Sequence, residues 1–253
     1  VKDKSPLKNA QMPDPFPASS TQGGGADFLG QTSYFDDFYQ LITRNNTSSN
    51  TKGSPGWYVS QTSGTSTIAP TALAHGGWLK MDEVVGTNDA YNQVNTWTNF
   101  CVNSGMNIGL EFRVTVEDIS ATELVIGLID TAVTSGVVDI TDGIYMSNFA
   151  DPTSITAGTG LYLHSEKNGT VTSSDALVDP YTGDTFVIED GSLQAQSTTQ
   201  LATPSNSFIG GFQMTPKGMN GNLNTARLQS YLGPVGKQPM AAEGIAITNL
   251  PND

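Results

Sequence analysis

The sequence has few of the residues on which most covalent and metal chemistry depends. Among 253 residues there is one cysteine, Cys101, and there are two histidines, His75 and His164. A single cysteine excludes an intrachain disulfide and a zinc site built from cysteines. Because Cys101 stands between Phe100 and Val102, we expect a buried thiol that acts as a small apolar side chain.

Charged side chains are also scarce, at 14% of the chain, against about 25% in an ordinary soluble domain. Glycine, serine, threonine and asparagine take their place. These residues suit turns and the outer faces of strands better than helix surfaces. The composition therefore favours a β protein with a polar but mostly uncharged surface.

The acidic excess is concentrated in one segment. Residues 81–190 hold 17 Asp and Glu, with Arg113 and Lys167 as their only basic residues, so a net charge of -13 overall against -15 here leaves +2 for the flanks. Because affinity for nucleic acid comes mainly from Lys and Arg, we predict no nucleic-acid partner. The acidity indicates a solvated outer surface, with divalent-cation binding as the alternative.

Long apolar runs are missing as well. The longest strongly apolar stretch, residues 124–129, is far too short to span a bilayer. No charged segment followed by an apolar one stands at the amino end. We predict no membrane association.

Residues 110–130, LEFRVTVEDISATELVIGLID, predict two β-strands joined by a polar turn. Over residues 110–116 apolar and polar side chains alternate, the period of a strand with one buried and one solvated face. Residues 124–129 are almost all apolar, which predicts a strand buried on both faces. We expect these strands to be antiparallel neighbours with four core side chains: Phe112, Val114, Leu124 and Ile126.

Short strand-like segments recur along the rest of the chain between clusters of turn residues, and with the two above they make about ten strands. They are residues 56–61, 77–81, 96–102, 144–149, 160–164, 185–189, 207–214 and 244–248. No alternation of strands with helices occurs, which argues against a parallel sheet. The predicted fold is all-β, an antiparallel β-sandwich or jelly roll.

Three segments depart from this strand pattern. Residues 34–44 predict a helix whose aromatic stripe packs against a sheet, with partner binding as the alternative. Residues 223–232 predict a second short helix, with a strand as the alternative. Residues 1–33 carry four prolines and three consecutive glycines, which predicts an extended arm that crosses a neighbouring subunit. We therefore divide the chain into an N-terminal arm, 1–33, and a single β-sandwich domain, 34–253.

The sequence contains no recognisable catalytic constellation. His75 is predicted to lie in a turn and His164 at a strand end, and neither a nucleophile elbow nor a phosphate-binding loop is present. The carboxylate pairs at 117–118 and 189–190 would point to opposite faces of a strand, not together across a cleft. We predict no catalytic residues, no cofactor and no enzymatic activity.

For binding sites the sequence leaves alternatives. Asp179 and Asp184, in DPYTGD, predict a solvated turn, with a shared calcium ion as the alternative, so metal binding stays undecided. Large aromatic residues are predicted to lie in the core or at sheet edges, with a sugar-stacking platform as the alternative; they are Trp57, Tyr58, Trp78 and Trp97. Three Asn residues begin glycosylation-like triplets, which arise by chance in a chain so rich in Asn and Thr; they are Asn45, Asn46 and Asn168.

Residues 107–131, NIGLEFRVTVEDISATELVIGLIDT, resemble the first long hairpin of concanavalin-A-like jelly-roll modules in structural proteins of tailed bacteriophages. IYMSNFA at 144–150 and GLYLHSEKNGT at 160–170 are similar to the strands that follow. The resemblance covers about residues 77–190. Beyond Asp190 the chain lacks the family's expected closing strand with an aromatic residue and a tight Asp-Gly turn, and no sugar or metal ligand carries over.

The resemblance, the arm and the missing active site together predict a non-enzymatic virion protein that decorates or cements a bacteriophage capsid. Its expected partners are the major capsid protein and further copies of itself, as a homo-oligomer. The alternative is a glycan-binding, lectin-like module for receptor binding or adhesion. A glycoside hydrolase is the third possibility.

Overall fold

The computed structural model describes residues 51–52, 57–61, 67–70, 79–82, 92–96, 107–116, 118–119, 122–130, 140–154, 156–188, 207–216, 226–234 and 237–247. Within these ranges the chain forms antiparallel strands and turns and no helix, so the all-β class is confirmed. The predicted arm, 1–33, and the predicted helix over 34–44 lie outside them.

The described ranges contain thirteen strands. They are β1 (Thr51–Lys52), β2 (Trp57–Gln61), β3 (Thr67–Pro70), β4 (Leu79–Asp82), β5 (Asn92–Thr96), β6 (Ile108–Thr115), β7 (Val125–Ile129), β8 (Gly143–Ser147), β9 (Tyr162–Lys167), β10 (Thr170–Ser173), β11 (Ser207–Pro216), β12 (Ala226–Pro234) and β13 (Met240–Ile247). Sheet I has the order β13-β12-β11-β6 and sheet II the order β10-β9-β8-β7. Two smaller sheets comprise β1-β2-β5 and β3-β4.

Sheets I and II share one apolar core. Sheet II contributes Ile144, Met146 and Leu163, and these belong to the same buried cluster as side chains of β11, β12 and β13. In this core the Phe208 ring meets the Phe186 ring edge to face, with centroids 5.1 Å apart. The inner faces of the two sheets thus pack together in a β-sandwich-like arrangement.

A second, smaller cluster covers the outer face of sheet II. It contains Ile140, Tyr145 and Phe149, with Val125 and Ile129 of β7 packed against them. Leu128 of β7 packs on the shared core, so both faces of the strand make apolar contacts. All five of its residues are half-buried, so the predicted burial on both faces is only partial.

The predicted pairing between residues 110–116 and 124–129 is wrong. β6 pairs with β11 in sheet I, whereas β7 pairs with β8 in sheet II. The connection between them crosses from one sheet to the other, and its Val116 and Ile119 are buried in the shared core. Alternation identifies the buried face of a strand but does not identify the strand beside it.

The four side chains assigned to the core are half-buried. Phe112, Val114 and Leu124 do pack against the shared core, as predicted. Ile126 is not among the residues packed against that core, although it alternates with Leu128, which is. The alternation therefore located the inner faces correctly even though the pairing differs.

The predicted helix over 223–232 is also wrong, and the strand given as its alternative is confirmed, because residues 226–234 form β12. This strand pairs with β11 on one side and β13 on the other. Its fully buried residues recur at every second position, the period of a strand; they include Ala226, Leu228, Ser230 and Leu232.

The remaining strand predictions differ in outcome. Those over 56–61, 77–81, 144–149, 160–164, 207–214 and 244–248 overlap β2, β4, β8, β9, β11 and β13. Over 185–189, Thr185 and Val187 make only isolated bridges. β5 ends at Thr96, and the rest of the segment predicted over 96–102 is outside the described ranges.

Gly127 of β7 provides a test of how closely β7 and β8 approach. A Cβ at this position would overlap the carbonyl oxygen of Ile144 and the Cβ of Tyr145. We therefore expect Gly127→Ala to lower the free energy of unfolding by about 3 kcal/mol or more, measured by urea denaturation. Gly158→Ala is the control, because the nearest heavy atom would be Asn148 O at 3.6 Å. Equal midpoints for the two variants would contradict the described packing.

Candidate functional site

The densest group of polar side chains in the described residues lies on the outer face of sheet II. We call it the outer cluster; it consists of Tyr145, Ser147, His164, Glu166 and Ser173. Its members stand at alternate positions of β8 and β9, with Ser173 opposite His164 on β10. Strand periodicity therefore places them all on one face.

His164 is the centre of the outer cluster. Its Nε2 lies 2.9 Å from Ser147 Oγ and its Nδ1 2.8 Å from Ser173 Oγ. In a neutral imidazole one ring nitrogen donates and the other accepts, so the two hydroxyls satisfy the whole ring. His164 also lies beside the Tyr145 ring, with centroids 5.0 Å apart, and near the Tyr162 ring at 6.3 Å.

A serine bound to a histidine is the arrangement of many nucleophilic enzymes. Here Ser147 and His164 are fully buried, and Ser147 Oγ also accepts the Phe149 N–H at 3.3 Å. The second ring nitrogen faces Ser173 where a hydrolytic triad has a carboxylate. The group therefore joins three strands by hydrogen bonds. Ser147 and His164 have no exposed surface, whereas Ser173 is exposed.

Burial lowers the pKa of His164 to about 4, whereas the Phe149 backbone and the charge of Asp151 act in the opposite direction. The prediction that His164 stands at a strand end is wrong. It lies inside β9, with two residues of the strand before it and three after it.

Glu166 occupies the other end of the outer cluster. Its Oε2 accepts the Tyr145 hydroxyl at 2.8 Å inside the sheet. Burial raises the pKa of Glu166, and the negative charges of Asp130 and Asp142 add to this shift, while the bond from Tyr145 opposes it. Desolvation likewise raises the pKa of Tyr145. Tyr145 is therefore a neutral donor that offsets part of the cost of burying the carboxyl group.

The acidic residues of the described part do not form a metal centre, since no three His, Cys, Asp or Glu side chains there stand close enough to hold an ion. In the DPYTGD segment, Asp179 Oδ1 accepts the Tyr181 N–H at 2.8 Å. The Asp179 and Gly183 amides make backbone hydrogen bonds of 2.8 Å across the same turn. Asp179 thus shapes a tight turn, and no group of three potential metal-binding side chains in the described residues supports the calcium alternative.

The turn at 179–184 is attached to sheet I through Tyr181. Its hydroxyl donates to the carbonyl of Gln238, in the β12–β13 connection, and the Lys237 Nζ lies 4.8 Å from the centre of its ring. Residues after sheet II are thereby held against the end of sheet I.

Asn148, directly after β8, is a fully buried residue that joins three segments. Its Oδ1 accepts the Leu124 N–H, and its Nδ2 donates to the carbonyls of Thr122 and Gly158, each at 2.9 Å. Its backbone adds bonds with Leu124 and Gly158. The side chain therefore fixes the entry to β7 and the connection between β8 and β9.

Sequence analysis did not identify the outer cluster or Asn148. A usable signal was present, because His164 and Glu166 are two residues apart, as are Tyr145 and Ser147, so that each pair shares a face of its strand. No sequence pattern predicts the role of Asn148, because the three partners of its side chain are backbone groups ten or more residues away.

Most other predicted candidates lie outside the description. This holds for Asn45, Asn46, His75, Trp78, Trp97, Cys101, Glu117, Glu189 and Asp190, while Trp57 and Tyr58 are described by backbone alone. Asp118 is exposed in the crossing between the sheets.

Comparisons with protein-family models, with curated proteins and with solved structures found no match. In the part of the chain that the structure describes, no helix is long and apolar enough to cross a membrane.

The burial of neutral His164 predicts acid sensitivity. Because folding lowers its pKa from 6.5 to about 4, the unfolded chain binds the proton more readily between these values. Protonation of His164 therefore leaves the free energy of unfolding unchanged above pH 6.5. It lowers that free energy by about 3 kcal/mol as pH falls to about 4. Glu166 acts oppositely, because its raised pKa favours the folded state in acid.

Urea denaturation from pH 7 to 4 of the wild type and His164→Gln isolates this contribution. We expect stability to fall more steeply in the wild type than in His164→Gln, with His75→Gln as the histidine control. Parallel profiles for the wild type and His164→Gln would contradict a buried neutral His164.

The Asn148 contacts predict a large loss on truncation. Asn148→Ala removes three side-chain hydrogen bonds and leaves backbone groups of Thr122, Leu124 and Gly158 without them. We expect a loss of about 2 to 4 kcal/mol in the free energy of unfolding. Thr156→Ala, an exposed change in the same connection, should alter stability by less than about 0.5 kcal/mol. A similar small effect for both would show that the Asn148 bonds contribute little.

Proposed function

We propose that the protein is a non-enzymatic structural component of a virion, namely a decoration or cement protein on the capsid of a tailed bacteriophage. In this proposal the domain is a concanavalin-A-like jelly roll. Its partners are the major capsid protein and other copies of the same chain.

The observation that carries the proposal is the use made of reactive side chains in sheet II. Ser147, His164 and Glu166 are buried. Ser147 of β8 is hydrogen-bonded to His164 of β9, and Glu166 of β9 accepts the Tyr145 hydroxyl of β8. Their polar groups form hydrogen bonds that hold β8, β9 and β10 together. This arrangement supports a structural role better than a catalytic one.

The two facing antiparallel sheets support the jelly-roll part of the proposal, because such a fold consists of two sheets around one core.

The charge supports a protein partner. With 17 acidic residues against two basic ones over 81–190, the segment containing sheet II is unsuited to binding phosphate backbones.

The arm supports the mode of attachment. Prolines at 6, 13, 15 and 17 favour extended backbone, and the apolar side chains near them are spaced for contact with a neighbouring surface; they are Leu7, Met12, Phe16 and Phe28. Attachment through such a segment uses many weak contacts, and repetition over a particle raises avidity without a deep pocket.

Deletion of residues 1–25 tests this attachment. We expect the truncated protein to keep the circular dichroism spectrum and melting midpoint of the full chain, because the prolines and glycines of this segment favour an extended arm. Its oligomerisation, measured by light scattering, and its co-sedimentation with capsids that lack the protein should both weaken.

Two results would contradict the proposal. The first is a truncated chain that assembles and binds capsids as well as the full chain. The second is a native protein that sediments alone in a gradient that separates particles from free protein. Binding or turnover on a glycan panel would instead favour the lectin or hydrolase alternatives.

A further inference from the structure

Asn168 and Gly169 form the two-residue turn between β9 and β10. Thr170 pairs with Lys167 across this turn. Asn168 has φ of 49° and Gly169 φ of 72°. Two successive positive φ values define a type I′ turn, which matches the twist of the strands it joins. Both residues are exposed.

An Asn followed by Gly is the pair best suited to spontaneous loss of the side-chain amide. The backbone nitrogen of Gly169 attacks Cγ of Asn168, a C–N bond forms, and ammonia leaves with the former side-chain nitrogen. The product is a five-membered succinimide. Water then opens either carbonyl, which gives Asp or isoaspartate, and no other reactant is required.

The folded turn opposes the first step of this reaction. The Gly169 N–H donates to the carbonyl of Thr141 at 3.0 Å, so the attacking nitrogen is engaged in a hydrogen bond. The Asp142 carboxylate accepts the Asn168 N–H at 3.4 Å. A negative charge this close disfavours the deprotonated amide that attacks. Ring closure therefore requires the turn to open.

We propose that Asn168 is a deamidation site whose rate is set by opening of the β9–β10 turn. The reaction is suppressed in the folded protein and proceeds in the fraction of molecules whose turn is open.

Deamidation would act on its own surroundings. A new carboxylate at position 168 would stand beside Asp142, and the two negative charges would repel each other. The isoaspartate product also inserts an extra methylene into the backbone, which a two-residue turn cannot accommodate without losing register. Since β10 is the outermost strand of sheet II, the damage would begin at a sheet edge and weaken the contact of Ser173 with His164.

The test measures deamidation of the full chain at pH 8 over several weeks, by peptic digestion in acid and chromatography with mass spectrometry that separates Asn, Asp and isoaspartate peptides. We expect Asn168 in native protein to react at least about tenfold more slowly than in concentrated guanidinium chloride. Denaturant below the unfolding transition should raise its rate. Asn220–Gly221, the other Asn-Gly pair, gives the reference rate in the denatured chain.

Asp142→Ala is the matched variant, because it removes the carboxylate without creating a new Asn-Gly pair with Gly143. We expect it to speed the reaction of Asn168 in the native protein and to leave the rate in the denatured chain unchanged. Equal rates for native and denatured wild type would overturn the proposal. So would an unreactive Asn168 in a denatured chain whose Asn220 reacts. The denaturant series on the wild type decides the matter even if the variant does not fold.

Discussion

The constraint on which the described structure depends is that β8 is buried on both faces. All five of its residues are buried, with Ile144 and Met146 in the shared core, Tyr145 in the second cluster, and Ser147 on the same face as Tyr145. No polar group on such a strand can rely on water, so each needs a partner inside the protein. The outer cluster and the bonds of Asn148 supply those partners.

This constraint also explains why polar chemistry and stability are hard to separate here. His164 is held neutral because the charged form would lose its hydration, and Glu166 is tolerated because Tyr145 donates to it. Buried networks of this kind stabilise a fold only while every member is partnered. The same contacts that hold these side chains in place also occupy their hydrogen-bonding groups.

The sequence predicted strand faces better than strand partners. Alternation over 110–116 located the inward side chains correctly, because the periodicity is local. The partner of that strand is β11, almost a hundred residues later, and nothing local records such a pairing. For residues 223–232 the sequence allows either a short helix or a strand, and pairing with β11 and β13, which is remote from any local signal, decides for the strand. The predicted position of His164 at a strand end is wrong because the sequence does not reveal the hydrogen-bond partners that allow a polar side chain inside a buried strand.

The outer cluster gives sheet II a unique register. If β9 slipped by one residue against β8, His164 and Glu166 would face the shared apolar core, and Leu163 would face outward. Neither polar side chain would find Ser147 or Tyr145, and each would bear the full cost of desolvation. Two apolar strands alone would discriminate less sharply between these registers. The polar side chains of β8 and β9 therefore specify one pairing.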